Sequence, residues 1–284
     1  MPPRTAVAKK GGKRRYVREV NGTPTEHVNV TGCTGMWGNG PWKIPYGAKT
    51  VAEAAMDALG SGKLDALFDA DKDACLKWLK GAPYRDRDGA AAKGTKVHQA
   101  FEDYLKTGDP SVEDEEIASM VADLITLTER YQIKWERSEQ TVFHSADGWA
   151  GTMDGIVTMQ FPGEDGRRRC IVDIKTSRSV QGKHEYVMQL NALANGEVIL
   201  HDDGSEEPMP SVEGAVILHV RPDKDPEVVP VALSEESYRD FKVCVAMVYA
   251  EQAAEARVTY LPPLGNPNDD TALLTGRNSE SEKR

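Results

Sequence analysis

Two periods of hydrophobic spacing run along the chain, one typical of helices and one typical of strands. Apolar residues recur at three- and four-residue intervals in several segments, which predicts amphipathic helices over 47–59, 73–82, 91–106, 112–135, 183–195 and 235–256. Shorter runs rich in Val, Ile and Thr predict strands at 140–145, 150–161, 168–177, 214–222 and 227–233, with one or two more inside 16–30. The Gly-rich aromatic segment 31–42 is predicted to be an ordered loop, and Ser234 is predicted to cap the last helix.

The order of these elements indicates the fold class. The turn sequence PGEDGR at 162–167 joins two strands into a hairpin, so an antiparallel group of three strands precedes a helix, two more strands and a last helix. This order predicts an α/β (α+β) protein with a central mixed β-sheet flanked by helices. We expect one domain over 16–261 with a helical elaboration at 40–135, between a disordered basic arm at 1–15 and a disordered tail at 262–284.

The distribution of charged and apolar residues indicates the expected location of the protein and its expected partners. The chain has 284 residues and a net charge of −10, with no apolar run of 18 residues and no apolar signal segment, so we expect a cytoplasmic protein without a membrane partner. Residues 1–18 nevertheless hold seven Lys and Arg residues and no acid. Such an arm either binds a polyanion or is a solvated tail.

The strand sequence IVDIKTSRS, at 171–179, contains two charges in an otherwise apolar run. Asp173 and Lys175 are two residues apart and therefore share one face of the strand, whereas Val172 and Ile174 face the opposite, core side. One interpretation is an ordinary ion pair on an exposed sheet face. The other is that the two charges belong to a functional site.

Two further segments favour the functional interpretation. The sequence GTMDG places Asp154 across the predicted hairpin from Asp173, and its glycines predict a backbone that bends close to a ligand. Two neighbouring carboxylates repel each other unless a cation lies between them, and Mg²⁺ or Mn²⁺ is the cation that oxygen ligands suit. His98 and Glu102 lie four residues apart on one helix face, where His98 can supply a nitrogen ligand and Glu102 can orient a neighbour or a water. The alternatives are a turn residue at Asp154 and an ordinary polar helix face at His98.

These segments, in this order, resemble the PD-(D/E)XK nuclease superfamily, with its restriction-endonuclease-like core. The motifs are GTKVH with a following Glu, then GTMD, then DIK, then a helix that carries QL, and they extend over roughly residues 40–195. The branch most similar to this chain is that of the RecB-type exonucleases, which includes phage and CRISPR-associated enzymes.

The resemblance implies a role for each matching residue. His98, Asp154, Asp173 and the Ile174 backbone carbonyl would hold the metal ion, and Lys175 would orient or activate the attacking water. Gln189 matches the glutamine of a QLxxY motif, although Leu193 stands where that motif has tyrosine. Glu139 occupies the position of a recurring acid, and Lys175 and Arg178 would contact nucleic acid.

The resemblance also implies a function. It predicts a Mg²⁺- or Mn²⁺-dependent DNA exonuclease of phage DNA recombination or processing, active in the host cytoplasm if a phage encodes it. DNA is the expected partner, a single-strand annealing protein or another recombination protein is a possible one, and a homo-oligomer is compatible. No iron–sulfur cluster is expected, because the four cysteines are scattered and only Cys244 lies late in the chain. The alternatives are a non-catalytic DNA-binding or assembly protein with the nuclease fold, and an endonuclease.

Overall fold

The computed structural model describes residues 9, 10, 13–20, 22–37, 40, 41, 43–201 and 203–260. These residues form the helices α1 (Val30–Trp37), α2 (Lys43–Gly60), α3 (Lys63–Ala70), α4 (Lys72–Lys80), α5 (Ala82–Thr107), α6 (Glu115–Arg130), α7 (His184–Ala194) and α8 (Glu235–Glu255). The strands are β1 (Lys9–Lys10), β2 (Lys13–Val20), β3 (Thr23–Asn29), β4 (Lys134–His144), β5 (Trp149–Gln160), β6 (Arg167–Lys175), β7 (Val198–Leu200), β8 (Glu206–Pro208), β9 (Gly214–Arg221) and β10 (Lys224–Val231). The predicted mixed α/β class is confirmed.

The sheet divides at β5. One edge of β5 pairs with β4 along its length, as an antiparallel neighbour. The other edge pairs in parallel with β3 at Trp149 and Ala150, and antiparallel with β6 from Gly155 onward. β6 continues in parallel to β9, and β9 pairs antiparallel with β10. The antiparallel group of three strands and the hairpin at 162–167 are therefore as predicted.

Helices cover both faces of this sheet. One buried cluster packs the sheet against α1, α7 and α8, and the other packs it against α5 and α6. Ile171 belongs to the first cluster, while Val172 and Ile174 belong to the second, as the strand pattern predicted. β6 is thus buried on both of its faces, and each polar residue in it must find a partner inside the protein.

Local signals fix the ends of several helices. Asp114 caps α6 by accepting hydrogen bonds from the backbone N–H groups of Glu116 and Ile117, and Gly108 ends α5 with a left-handed φ of 75°. Ser234 Oγ accepts from the Ser237 N–H, which confirms the predicted cap of α8. None of the described helices combines the length and the apolar composition needed to cross a bilayer.

Several element boundaries differ from the predictions. The segment 31–37 is helix α1 rather than a loop, because Asn29 Oδ1 accepts the Gly32 N–H at 2.5 Å and Cys33 is buried in the core. α3 was not predicted. α6 ends at Arg130 instead of residue 135, because Gln132 takes a left-handed φ of 50° that stops the helix and Ile133 leads into β4.

The structure near the two ends of the chain can be compared with the predicted domain limits. β2 begins at Lys13, inside the range 1–15 that was predicted to be disordered, because Arg15 pairs with Val28 in the β2–β3 ladder. The predicted tail at 262–284 lies outside the described residues. The described residues up to Tyr249 form one unit, and the described residues from Ala250 onward belong to a second one. All features discussed below belong to the first unit, in which α2–α6 occupy the predicted helical elaboration.

Candidate metal centre

The candidate site lies where β5 and β6 separate. The last ladder pair is Gly155 with Val172, and the next residues in the same register are Asp154 and Asp173. Asp154 Oδ2 instead accepts a hydrogen bond of 2.6 Å from the backbone N–H of Ile174. A hydrogen bond to a side chain therefore replaces the backbone ladder at this point, and polar groups can lie between the two strands.

Asp173 and Lys175 form a buried ion pair. Asp173 is 2% exposed, and its Oδ1 accepts from Lys175 Nζ at 2.7 Å and from Gln189 Nε2 at 3.0 Å. Oδ2 lies 2.6 Å from the same ammonium but outside hydrogen-bond geometry, and it has no hydrogen-bond partner among the described residues. The ion pair that one interpretation of the sequence placed on an exposed sheet face is thus mostly buried, with Asp173 inside the protein and Lys175 on the wall of the cleft.

The two charges influence each other. Burial raises the pKa of Asp173 to about 6, and the negative charge of Asp154 acts in the same direction, while Lys175 opposes both. Burial alone would lower the pKa of Lys175, but the charges of Asp173 and Asp154 outweigh burial and raise it. Lys175 is therefore held as a cation at neutral pH, with its ammonium 4.8 Å from the ring centre of Tyr186.

His98, Glu139 and Asp154 form a cluster of metal-ligating side chains. Their ligand atoms all lie within 4.8 Å of one another. His98 Nδ1 is 3.5 Å from Asp154 Oδ1 and 3.6 Å from Glu139 Oε1, and its Nε2 is 3.1 Å from the Ile174 carbonyl oxygen. Adjacent ligands of an octahedral ion with bonds of 2.0–2.1 Å are about 3.0 Å apart, so Nδ1 and the two carboxylate oxygens lie slightly wider than this spacing. The Ile174 carbonyl contacts the other ring nitrogen, Nε2.

The charge of His98 depends on these neighbours. Burial lowers the pKa of His98, but the carboxylates of Asp154 and Glu139 outweigh burial and raise the pKa to about 9. In the metal-free protein a protonated imidazole therefore compensates the carboxylates, and a bound metal ion would take over that compensation.

Glu139 has an unusual backbone conformation. Its φ is 49°, in the left-handed region that residues other than glycine rarely adopt. Its neighbours Ser138 and Gln140 pair with Gly155 and Met153, so Glu139 lies beside Asp154 across the β4–β5 ladder. Strain of this kind, of about 1–3 kcal/mol, is most often retained at functional sites. The structure thus places in the cluster an acid whose role the sequence left open.

The donor set fits a hard divalent cation. The cluster offers carboxylate oxygens, one imidazole and the nearby Ile174 carbonyl, and Asp173 adds a buried oxygen without a hydrogen-bond partner among the described residues. Mg²⁺ and Mn²⁺ prefer such oxygen ligands, and Mn²⁺ also accepts imidazole. Asp173 is not part of the three-residue cluster, because Lys175 and Gln189 hold its carboxylate.

These residues lie on the wall of one cleft of about 890 Å³. The cleft also contains side chains that the sequence did not single out: Arg14, Tyr16, Asn29, Thr95, Ser177 and Tyr186. Tyr186 stands three residues before Gln189, on the same side of α7, and this spacing is a signal that could have identified it. Nothing in the local sequence of β2 or β3 indicates that they reach the site.

The remaining predicted residues have different surroundings. Glu102 lines the cleft, but its carboxylate accepts from Lys106 Nζ at 2.5 Å. Arg178 is exposed and is not among the described residues that line the cleft. Leu193 is buried in the core, so it does not stand in for a tyrosine in the cleft.

The glycines next to Asp154 serve packing. A side chain at Gly151 would approach Val30 to 2.8 Å, and one at Gly155 would approach the Trp135 ring to 2.4 Å. Gly151 also lines the cleft, so the expectation that the backbone there comes close to a ligand stays a prediction beside this packing role. The two glycines let α1 and β4 close onto β5 on either side of Asp154.

His219 fixes the loop that follows Lys175. It is 1% exposed, its Nε2 donates to the Ser177 carbonyl at 2.6 Å, and its Nδ1 is 2.9 Å from Glu227 Oε1. Replacing His219 with Leu removes the donor of that carbonyl and puts an apolar side chain in place of the buried imidazole, while Ser177 itself is half-buried. We expect the free energy of unfolding to fall by about 1–3 kcal/mol in urea denaturation.

His201→Leu is the matched control for this substitution. His201 is half-buried, and its partners are the side chains of Gln140 and Glu207, which can turn toward water. The control is expected to lose less than about 1 kcal/mol. Equal losses for both variants would contradict the special role of the Ser177 contact.

Comparisons with known proteins add little to this geometry. No family model matches the chain, and no curated protein matches it. The chain is similar to a solved structure described as "Crystal structure of SSO0001", with 16% identity over 54% of this chain and 74% of that chain, and a TM-score of 0.25. A likeness this weak carries no argument, so the functional interpretation depends on the site itself.

Proposed function

We propose that this protein is a metal-dependent deoxyribonuclease that hydrolyses DNA phosphodiester bonds. The observation that carries the proposal is the juxtaposition, at one division of the sheet, of the cluster His98–Glu139–Asp154 with the buried pair Asp173–Lys175. Phosphodiester hydrolysis needs an activated water and neutralisation of the anionic transition state. Carboxylates that hold a divalent cation, next to a fixed ammonium, can supply both.

Each residue has a defined role in this proposal. Asp154, Glu139, His98 and the Ile174 carbonyl would hold Mg²⁺ or Mn²⁺, and Asp173 would add its second carboxylate oxygen. The bound ion would lower the pKa of its water and compensate phosphate charge. Lys175, which lines the cleft and is fixed by Asp173, would donate a hydrogen bond to the attacking water or to the phosphate. Gln189 would keep Asp173 in place through its hydrogen bond.

The proposed activity is that of an exonuclease, as the resemblance of the motifs implies. The biological setting, phage DNA recombination or processing, stays a prediction from the same resemblance. There are two rival functions. An endonuclease would also cleave DNA that has no free ends, and a non-catalytic DNA-binding or assembly protein would not cleave DNA.

One experiment separates the three functions. End-labelled linear duplex and covalently closed circular DNA are incubated with the full chain in Mg²⁺, in Mn²⁺ and in excess EDTA. We expect nucleotides to be released from the linear DNA in either metal, the closed circle to stay intact, and EDTA to stop the reaction.

Other results lead to other conclusions. Cleavage of the closed circle identifies an endonuclease, and DNA binding without cleavage in either metal identifies a non-catalytic binding protein. Undiminished cleavage in excess EDTA contradicts the metal centre.

A further inference from the structure

The basic segment near the start of the chain lies beside the metal centre. Residues 9–29 hold six Lys and Arg residues against two Glu, in a chain whose net charge is −10. β2 and β3 form an antiparallel hairpin from this segment, and β3 joins β5 at Trp149 and Ala150, on the edge that β6 uses further along. The edge between these two partners contains Gly151 to Asp154. The hairpin therefore borders the cleft at the place where the metal ligands lie.

Arg14 is the basic residue of this hairpin that lines the cleft. Arg14 and Tyr16 share one face of β2, and both line the cleft together with Asn29 of β3. The Arg14 guanidinium lies 5.0 Å from the centre of the Tyr16 ring, and the Tyr16 hydroxyl is hydrogen-bonded to Thr152 Oγ1 at 3.0 Å. The Asn29 amide donates to the Arg14 carbonyl at 2.8 Å. Backbone and ring contacts thus position the guanidinium before any ligand arrives.

The charge of Arg14 is available to a ligand. Among the described residues, its guanidinium makes neither a hydrogen bond nor an ion pair, whereas Lys175 is engaged by Asp173 and His98 faces two carboxylates. A guanidinium can bind two phosphate oxygens at once, and it also stacks on aromatic rings. Arg14 on Tyr16 therefore has the chemistry of a phosphate-binding group at the side of the cleft.

The wall that α5 contributes to the cleft leaves room for a strand. α5 contributes the small residues Ala90, Ala91 and Gly94 to the same cleft, in the turns before His98. None of these three residues has a large side chain that would block the space between α5 and the hairpin. A phosphate chain that passes the metal centre would therefore lie between α5 and β2.

We propose that Arg14, positioned by Tyr16, binds a backbone phosphate of a nucleic-acid strand next to the phosphate at the metal centre. This inference rests on the proposed function, because the strand it contacts is the substrate of that site. The sequence left two interpretations of the basic segment, polyanion binding and a solvated tail. This proposal assigns polyanion binding to the part of the segment that forms β2.

The salt dependence of DNA binding tests this contact directly. A fluorescently labelled single-stranded oligonucleotide is titrated with the full chain in excess EDTA at several salt concentrations, and affinity is measured by anisotropy. Each phosphate contact contributes about 0.7 to the slope of log affinity against log salt for a single strand. Arg14→Gln is expected to reduce the slope by about that amount, while Arg14→Lys should retain it because it keeps the charge.

The matched control is Arg168→Gln. Arg168 also lies over an aromatic ring, that of Phe161, but it pairs with Glu164 and stands five residues from Asp173 along β6, about 17 Å away. Its loss should leave the slope unchanged. An unchanged slope for Arg14→Gln, an equal change in both variants, or no binding by the unaltered protein overturns the inference.

Two oligonucleotides identify which phosphate is bound. One carries a 5′-phosphate and the other a 5′-hydroxyl. An equal reduction of the slope for both indicates an internal phosphate, and a reduction confined to the first indicates the terminal phosphate; either result supports the contact. Because binding is measured without cleavage, failure of this inference is distinct from failure of the proposed function, which would appear as absent metal-dependent hydrolysis.

Discussion

Replacing Lys175 with Gln is expected to reduce DNA cleavage by at least about 10²-fold while the protein still folds. Lys175 Nζ contacts both oxygens of Asp173 within 2.7 Å, and Lys175 lines the cleft, so Asp173 holds the ammonium on the cleft wall, where a reacting phosphate or water can contact it. Glutamine keeps a donor for the buried carboxylate and removes only the cation. Alanine at this position should abolish cleavage, but it also leaves Asp173 with Gln189 alone and is expected to lower stability more than glutamine does.

The measurement is the release of label from linear DNA in Mg²⁺, followed at equal protein concentration together with urea denaturation of each variant. Lys134→Gln is the matched control, because Lys134 is an exposed lysine at the start of β4. It should cleave at the unaltered rate. Full activity of a folded Lys175→Gln protein would remove Lys175 from the mechanism.

The position of the two acids could be predicted from local pattern. The period-2 spacing of β6 puts Asp173 and Lys175 on one face, and the turn at 162–167 fixes the β5–β6 register that brings Asp154 next to Asp173. Both inferences need only one hairpin, so short-range sequence rules suffice. The α/β class followed in the same way from the order of helices and strands.

The rest of the site depends on contacts that are distant along the chain. His98 reaches the Ile174 carbonyl only because α5 packs on β6, and Arg14 reaches the cleft only because β3 joins β5. Glu139 lies beside Asp154 through the β4–β5 ladder, in a backbone conformation that no propensity predicts for glutamate. Tertiary packing also overrides composition at the Gly-rich α1, where Asn29 caps a helix that the glycines did not suggest.

Asp154→Asn is expected to abolish stabilisation by Mg²⁺ and Mn²⁺ without disturbing the fold. Asp154 Oδ2 accepts the Ile174 N–H at 2.6 Å, and the amide oxygen of asparagine can accept the same bond. The substitution removes the negative charge that a metal ion needs. In EDTA the substitution has two opposing effects on stability: it removes the attraction between Asp154 and protonated His98, and it removes the repulsion between Asp154 and Asp173. The melting temperature of the variant should therefore stay near that of the unaltered protein.

Thermal denaturation in EDTA and in increasing metal concentrations measures this difference. A ligand present at 100 times its dissociation constant stabilises a folded protein by about 2.7 kcal/mol, so the unaltered chain should melt at a clearly higher temperature in metal, and the variant should not. Asp147→Asn is the matched control, because Asp147 also accepts a hydrogen bond, from the Tyr238 hydroxyl at 2.6 Å, but stands outside the cluster. The control should keep the full metal-dependent shift. If Asp154→Asn keeps the metal-dependent shift in melting temperature, Asp154 is not a ligand. If the unaltered chain shows no such shift, the cluster does not bind these ions. In either case the roles assigned to Asp173 and Lys175 would need a different chemistry.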